Sequence, residues 1–186
     1  LKKQNINNVI MEASSHGLSQ NRLDGLFFNT GIFTNLSQDH MDYHKNMKDY
    51  LKAKTYLFEQ LIKKNGNIIT DEKISEYKQI KKIASNKNLN LFSLLDKKNN
   101  FQFLSHQFEG EAQLLKMKYN NSMHIIKLNL IGKIQLKNIL MAIIAAIKSD
   151  ISIKDILKVI PRIKSVDGRF EKIGKIKNNS KVILDY

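Results

Sequence analysis

The chain has 186 residues, a formal net charge of +14 and no cysteine, which allows a full hydrophobic core but excludes disulfide frameworks and thiolate metal sites. Of its 31 basic residues only Arg22, Arg162 and Arg169 are arginine, and aromatics do not alternate with the lysines, which argues against a nucleic-acid surface. No apolar run approaches the roughly 20 residues of a membrane span, and no signal peptide is visible, so a cytoplasmic protein with no nucleic-acid or membrane partner is expected.

Lysine, asparagine and isoleucine together supply 73 residues. All three have AT-rich codons, so genomic base composition explains the charge more simply than a ligand does. The chain begins with leucine and stops in an apolar run, VILDY, and is expected to be an internal piece of a longer protein.

Residues 8–13 (NVIMEA) read as a buried strand that delivers Glu12 at its C-terminal end, followed by a turn at 14–17. Residues 31–36 form a second short strand, and 47–61 an amphipathic helix. A third strand at 67–70 leads to a helix at 71–84 that opens on acidic residues, then a strand at 89–95. Strands alternating with helices predict an α/β domain with a mostly parallel central sheet flanked by helices. The pattern then changes to three antiparallel strands, 101–104, 112–119 and 123–130, with Asn120-Asn121 as the turn between the last two. An apolar helix at 134–148 and a shorter one at 153–160, ended by Pro161, complete the first domain, expected over 1–165. Residues 166–169 (VDGR) read as a hinge, so that 166–186 would hold the first strand of a Rossmann-like C-terminal domain.

The helix at 47–61 contains an anomaly. Met47, Tyr50, Leu51, Leu57, Phe58 and Leu61 line one face, and Lys54 falls inside that stripe, whereas Lys48 and Lys52 fall on the polar side. A lysine drawn into an apolar face must be paired, neutralised or chemically altered. Upstream lies a cluster of carboxylates and imidazoles, Asp39-His40-Met41-Asp42-Tyr43-His44. Glu12 and His40, each at or just beyond the C-terminal end of a predicted strand, are hard ligands suited to Mg²⁺ or Mn²⁺ held partly by substrate phosphates. Taken alone, a salt-bridged Glu12 and a hydrogen-bonded His40 explain the same residues. His40 and His44 also have the spacing of a helical zinc pair, but the glutamate of HExxH is absent.

Two segments resemble the Mur ligase family: Met11-Glu12-Ala13-Ser14-Ser15-His16-Gly17-Leu18 with Gln20 and Arg22, and Thr34-Asn35-Leu36-Ser37-Gln38-Asp39-His40-Met41-Asp42-Tyr43-His44 with Ala53-Lys54. The likeness runs on through Gly168-Arg169-Phe170-Glu171 to the last residue. The SSH and DYH elements are most similar to the branch that makes the UDP-MurNAc-tripeptide. The resemblance implies the fold of that family's central ATPase domain. It also implies an ATP-dependent amide ligase that joins an amino acid, meso-diaminopimelate or L-lysine, to UDP-MurNAc-L-Ala-D-Glu. The reaction implied passes through an acyl phosphate.

By the same resemblance Glu12, His40 and Lys54 hold Mg²⁺, with Lys54 carried as a CO₂-derived carbamate, and His40 and Lys54 serve catalysis. Ser14, Gln20 and Arg22 match positions that bind the UDP-MurNAc-dipeptide; Asn138, Arg169 and Asp185 match positions that bind ATP. Ile134-Gln135 departs from the family's Phe-Asn pair ahead of Asn138. The enzyme is expected to act as a monomer. No GxxxxGK[ST] phosphate loop occurs among the eight glycines, so the chain alone is not expected to turn over. The alternatives weighed are another ligase of this architecture, such as a folylpolyglutamate synthetase, and a basic non-catalytic binding module.

Overall fold

The computed structural model describes residues 6, 8–37, 41–95, 100–109, 112–169, 171–177 and 180–185. Its centre is a parallel sheet in the order β1 (Phe28–Phe33), β2 (Ile62–Thr70), β3 (Asn90–Ser93). The register brings Phe33, Thr70 and Ser93 level at the C-terminal edge. There the Thr70 hydroxyl donates to the Phe33 carbonyl at 2.9 Å.

Alternation along β2 decides how the layers assemble, because neighbouring residues point to opposite faces. Ile68 and Ile69 are both fully buried but belong to different cores. Ile68 packs with Phe58, Leu61, Ile80 and Ile83, on the side of helices α2 (Met47–Tyr56) and α3 (Tyr77–Asn86). Ile69 packs with Leu136, Leu140 and Ile144 of α4 (Lys133–Ile147) and with Leu115, Met117, Ile126 and Leu128. These last residues line one face of an antiparallel sheet made by β4 (Phe101–Glu109), β5 (Ala112–Tyr119) and β6 (Ser122–Leu128). The β5–β6 turn is Asn120-Asn121, both at positive φ (46° and 66°), as a two-residue hairpin of matching twist requires. Helix α5 (Ile153–Val159) runs into a 3₁₀ turn containing Pro161. β7 (Glu171–Lys175) and β8 (Lys181–Leu184) form a separate two-stranded antiparallel sheet.

The mixed α/β architecture is as expected, but three local expectations are corrected. Residues 8–13 form no strand. Val9 and Met11 are about half exposed and Ile10 fully so, because no neighbouring strand among the described residues offers them a hydrogen-bonding edge. The expected turn at 14–17 is part of a short helix, α1 (Ser15–Ser19), with Ser14 as its N-cap. The acidic pair Asp71-Glu72 does not open a helix; α3 begins only at Tyr77, and Asp71 is drawn inward instead.

Candidate functional site

Of the described candidate residues, Lys54 lies at the C-terminal edge of the parallel sheet, beside the segment that follows β1. Helix α2 starts at an Asn46 cap, whose side chain accepts the Asp49 N–H at 2.9 Å. The helix then buries Tyr50 and Thr55 and passes into a π-helical turn, Leu57–Leu61. The stripe predicted from periodicity is present, but Lys54 lies at its margin, half-buried, and not inside it as expected. Its ammonium donates to the Asn35 carbonyl at 3.0 Å, two residues past the end of β1. The same nitrogen lies 4.8 Å from the centre of the Tyr50 ring and 5.8 Å from that of Phe33, within the range of a cation–π attraction. The Lys54 ammonium is therefore held in place while staying partly open to solvent.

A second set of contacts joins α1 to residues 41–46. Ser14 caps α1 by accepting the Gly17 N–H at 3.1 Å, which leaves its own hydroxyl proton free to donate. The Ser15 hydroxyl lies 2.9 Å from Nε2 of His44, and both residues are buried. The His44 ring stacks on Tyr50 at 4.8 Å and 16°. Tyr43 accepts hydrogen bonds from Ser19 Oγ at 3.0 Å and from the Gln20 side-chain amide at 3.3 Å, and lies 3.9 Å from the His16 ring. The bonds from Ser19 and Gln20, with Arg22 nearby, favour the phenolate and hold the Tyr43 hydroxyl below the usual tyrosine range. Residues 41–46 form turns and bends rather than a helix, so the His40/His44 spacing loses its helical meaning as a zinc pair.

The other candidates are more dispersed. His40, with Asp39, lies outside the described residues. Glu12 and Arg22 are exposed, and the Arg22 backbone N–H closes a turn onto the Gly17 carbonyl at 2.9 Å. Asn138 is exposed on the second turn of α4. Arg169 and Asp185 are exposed, on either side of the β7–β8 hairpin. Among the described residues, no three His, Asp or Glu side chains meet in a metal cluster. Glu12 and a carbamylated Lys54 would nonetheless both offer hard carboxylate-type oxygens, a donor set that fits Mg²⁺.

Sequence reasoning missed one residue at this edge. Asp71, directly after β2, is 2 % exposed. Its carboxylate accepts the Lys73 N–H at 3.0 Å and forms an ion pair with Lys137 of α4, the neighbour of Asn138. An acidic residue immediately after the apolar run NIIT was the available signal, since strand C-termini are where polar functional groups collect.

The model of the Mur ligase middle domain matches residues 1–146. A 2,6-diaminopimelate ligase acting on UDP-N-acetylmuramoyl-L-alanyl-D-glutamate, from Zymomonas mobilis subsp. mobilis, is 31% identical over the whole chain. The chain spans 38% of that relative's length. A solved structure of an enzyme of the same name superimposes with a TM-score of 0.79 at 23% identity, covering 94% of this chain and 36% of the other. The MurF ligase from Thermotoga maritima in complex with ADP gives 0.69 at 13% identity, covering 88% and 36%.

Proposed function

Because this chain belongs to the Mur ligase family, we propose that the protein carrying it is an ATP-dependent amide ligase of peptidoglycan precursor synthesis. It joins an amino acid to UDP-MurNAc-L-Ala-D-Glu. The diaminopimelate ligase name of the matched relative favours diaminopimelate over lysine as that amino acid, and the ADP complex of the solved neighbour favours an adenine nucleotide as the co-substrate. The substrate carboxylate takes the γ-phosphoryl group of ATP to give an acyl phosphate and ADP; the incoming amine then attacks the acyl carbon, and inorganic phosphate and a proton leave as the amide forms. Residues 1–165 act as the nucleotide-using domain, and 166–186 as the hinge and start of the next.

Lys54 is the observation that carries this reading. It is a lysine held at the C-terminal edge of a parallel sheet, its nitrogen against the Asn35 carbonyl. Reaction of its neutral amine with CO₂, with loss of one proton, gives a carbamate that joins Glu12 and His40 as ligands. Mg²⁺ supplies charge neutralisation on the triphosphate when bound. Ser14, through its free hydroxyl proton, Gln20, through its amide oxygen, and Arg22, through its guanidinium fork, bind the UDP-MurNAc-dipeptide. Asn138, Arg169 and Asp185 bind ATP.

The test is Lys54→Ala in the full-length protein. Activity should fall by about 10²-fold or more, as for loss of an electrostatic catalytic group, and a small carboxylic acid such as acetate should restore part of it. Retention of near-wild-type activity by the alanine variant would refute the assignment.

A further inference from the structure

Ser15, His44, Tyr50 and Lys54 form an unbroken chain of contacts across three pieces of the protein. The Ser15 hydroxyl and His44 Nε2 are 2.9 Å apart. The His44 ring lies nearly parallel to Tyr50, 4.8 Å away, and the Lys54 ammonium lies 4.8 Å from the same Tyr50 ring. The first three are among the most buried side chains here, at 3 %, 5 % and 2 % exposure. A buried hydroxyl–imidazole pair is retained only where its geometry is satisfied, because an unmade bond costs the desolvation of both groups. Ser15 lies three residues after Glu12, at the start of α1, and Lys54 sits one turn after Tyr50 on α2.

From this we infer that His44 and Tyr50 are positioning residues that set the Glu12-bearing segment and Lys54 in one fixed relation. The inference rests on the reading of Glu12 and Lys54 as metal ligands. His44 receives the α1 end of the contact chain through its hydrogen bond. Tyr50 passes the constraint on through ring contact and anchors α2 by its own burial. Neither residue needs to touch substrate. They orient the ligands from behind, the kind of support whose loss weakens metal binding by about 10- to 100-fold.

Three variants of the full-length protein separate this role from simple stability. Ser15→Ala removes one oxygen, His44→Phe keeps ring volume and stacking but not the hydrogen bond, and His44→Gln keeps a polar group able to meet Ser15. The readouts are Mn²⁺ binding by electron paramagnetic resonance in the presence of a non-hydrolysable ATP analogue, and the ¹³C carbamate signal after ¹³CO₂ labelling. Ser15→Ala and His44→Phe should each weaken Mn²⁺ binding about 10-fold. Their double variant should be no worse than the worse single one, since both break the same contact, and His44→Gln should recover most of the loss.

Wild-type Mn²⁺ affinity in folded His44→Phe and Ser15→Ala would overturn the inference while leaving the proposed metal site standing. Losses that multiply in the double variant would also overturn it. If His44→Phe does not fold, Ser15→Ala decides alone. Absence of Mn²⁺ binding and of a carbamate signal in the wild-type protein would overturn both this inference and the metal-site reading beneath it.

Discussion

Gly31→Ala is the perturbation whose cost can be worked most directly from the packing beneath the Lys54 helix. Gly31 lies buried on β1, and an added Cβ would sit 2.7 Å from Cε1 of Phe58 and 3.0 Å from Cδ1 of Ile62. Carbon atoms in ordinary contact stand about 3.5–4.0 Å apart, so the Phe58 ring must retreat by about 1 Å. Phe58 is only 2 % exposed, so the ring has to move against neighbouring atoms and not into solvent. Overpacking of this kind costs about 1–3 kcal/mol. Alanine restricts the unfolded chain and returns about 0.4–1 kcal/mol, which leaves a net loss between about 0 and 2.6 kcal/mol. For a domain of this size that lowers the melting temperature by up to roughly 10 °C, at about 2–4 °C per kcal/mol.

Urea titration of Gly31→Ala, Phe58→Leu and the double variant measures it. The alanine penalty should shrink by about 1 kcal/mol in the Phe58→Leu background, a coupling expected of residues in contact. Gly66→Ala is the comparison: its Cβ would meet Ile62 Cγ2 at 2.6 Å and the carbonyl oxygens of Lys63 at 2.8 Å and Asn29 at 2.9 Å, and the two backbone clashes persist whatever stands at position 58. An equal effect of Gly31→Ala in both backgrounds would refute the packing argument. Because Phe58 lies one turn beyond Lys54, the displaced ring also pushes on the helix that holds the lysine.

Lys137→Met leaves the buried Asp71 carboxylate without its cation and should destabilise the chain by about 1–3 kcal/mol; in the Asp71→Ala background the same change should cost clearly less, as chemical denaturation would show. Asn138→Ala in the full-length protein should raise the KM for ATP several-fold with the KM for the UDP-MurNAc-dipeptide unchanged, and the reverse pattern in steady-state kinetics would reject its nucleotide role. Tyr43, whose hydroxyl accepts from Ser19 and Gln20, should ionise at lower pH than an ordinary tyrosine of about 10, and Ser19→Ala should move its 295 nm absorbance transition upward. Since the folded state favours the phenolate, the stabilisation from Tyr43 is fully present above that unfolded value and is lost as pH falls through the lower folded one. Asp155, held low by the Ser152 hydroxyl and then by Lys158, contributes stability above the usual aspartate range that disappears on acidification. Ser152→Ala should therefore flatten the acid limb of the stability–pH curve.

What could be read from the sequence was whatever depends on local periodicity. The stripe through Tyr50, Leu57, Phe58 and Leu61 is a property of one helix, so it singled out Lys54 without knowledge of the rest of the fold, although it put the lysine inside the stripe and the structure puts it at the margin. The apolar residues at 8–13 were misread because strand formation is a pairing property: composition can nominate Val9 and Ile10, but only a neighbouring edge can bury them. Asp71 escaped for a related reason, its partner Lys137 lying on a helix 66 residues further along the chain. His44 shows the limit most clearly. Its spacing from His40 looked like a metal pair only if the intervening backbone were helical, and that backbone turns instead, sending the imidazole to Ser15. The SSH and DYH elements are far apart in sequence, and the string alone gives no reason for them to occur together. The Ser15–His44 bond supplies one: a change in either element leaves a buried polar group in the other unsatisfied, so the two segments are constrained as a pair.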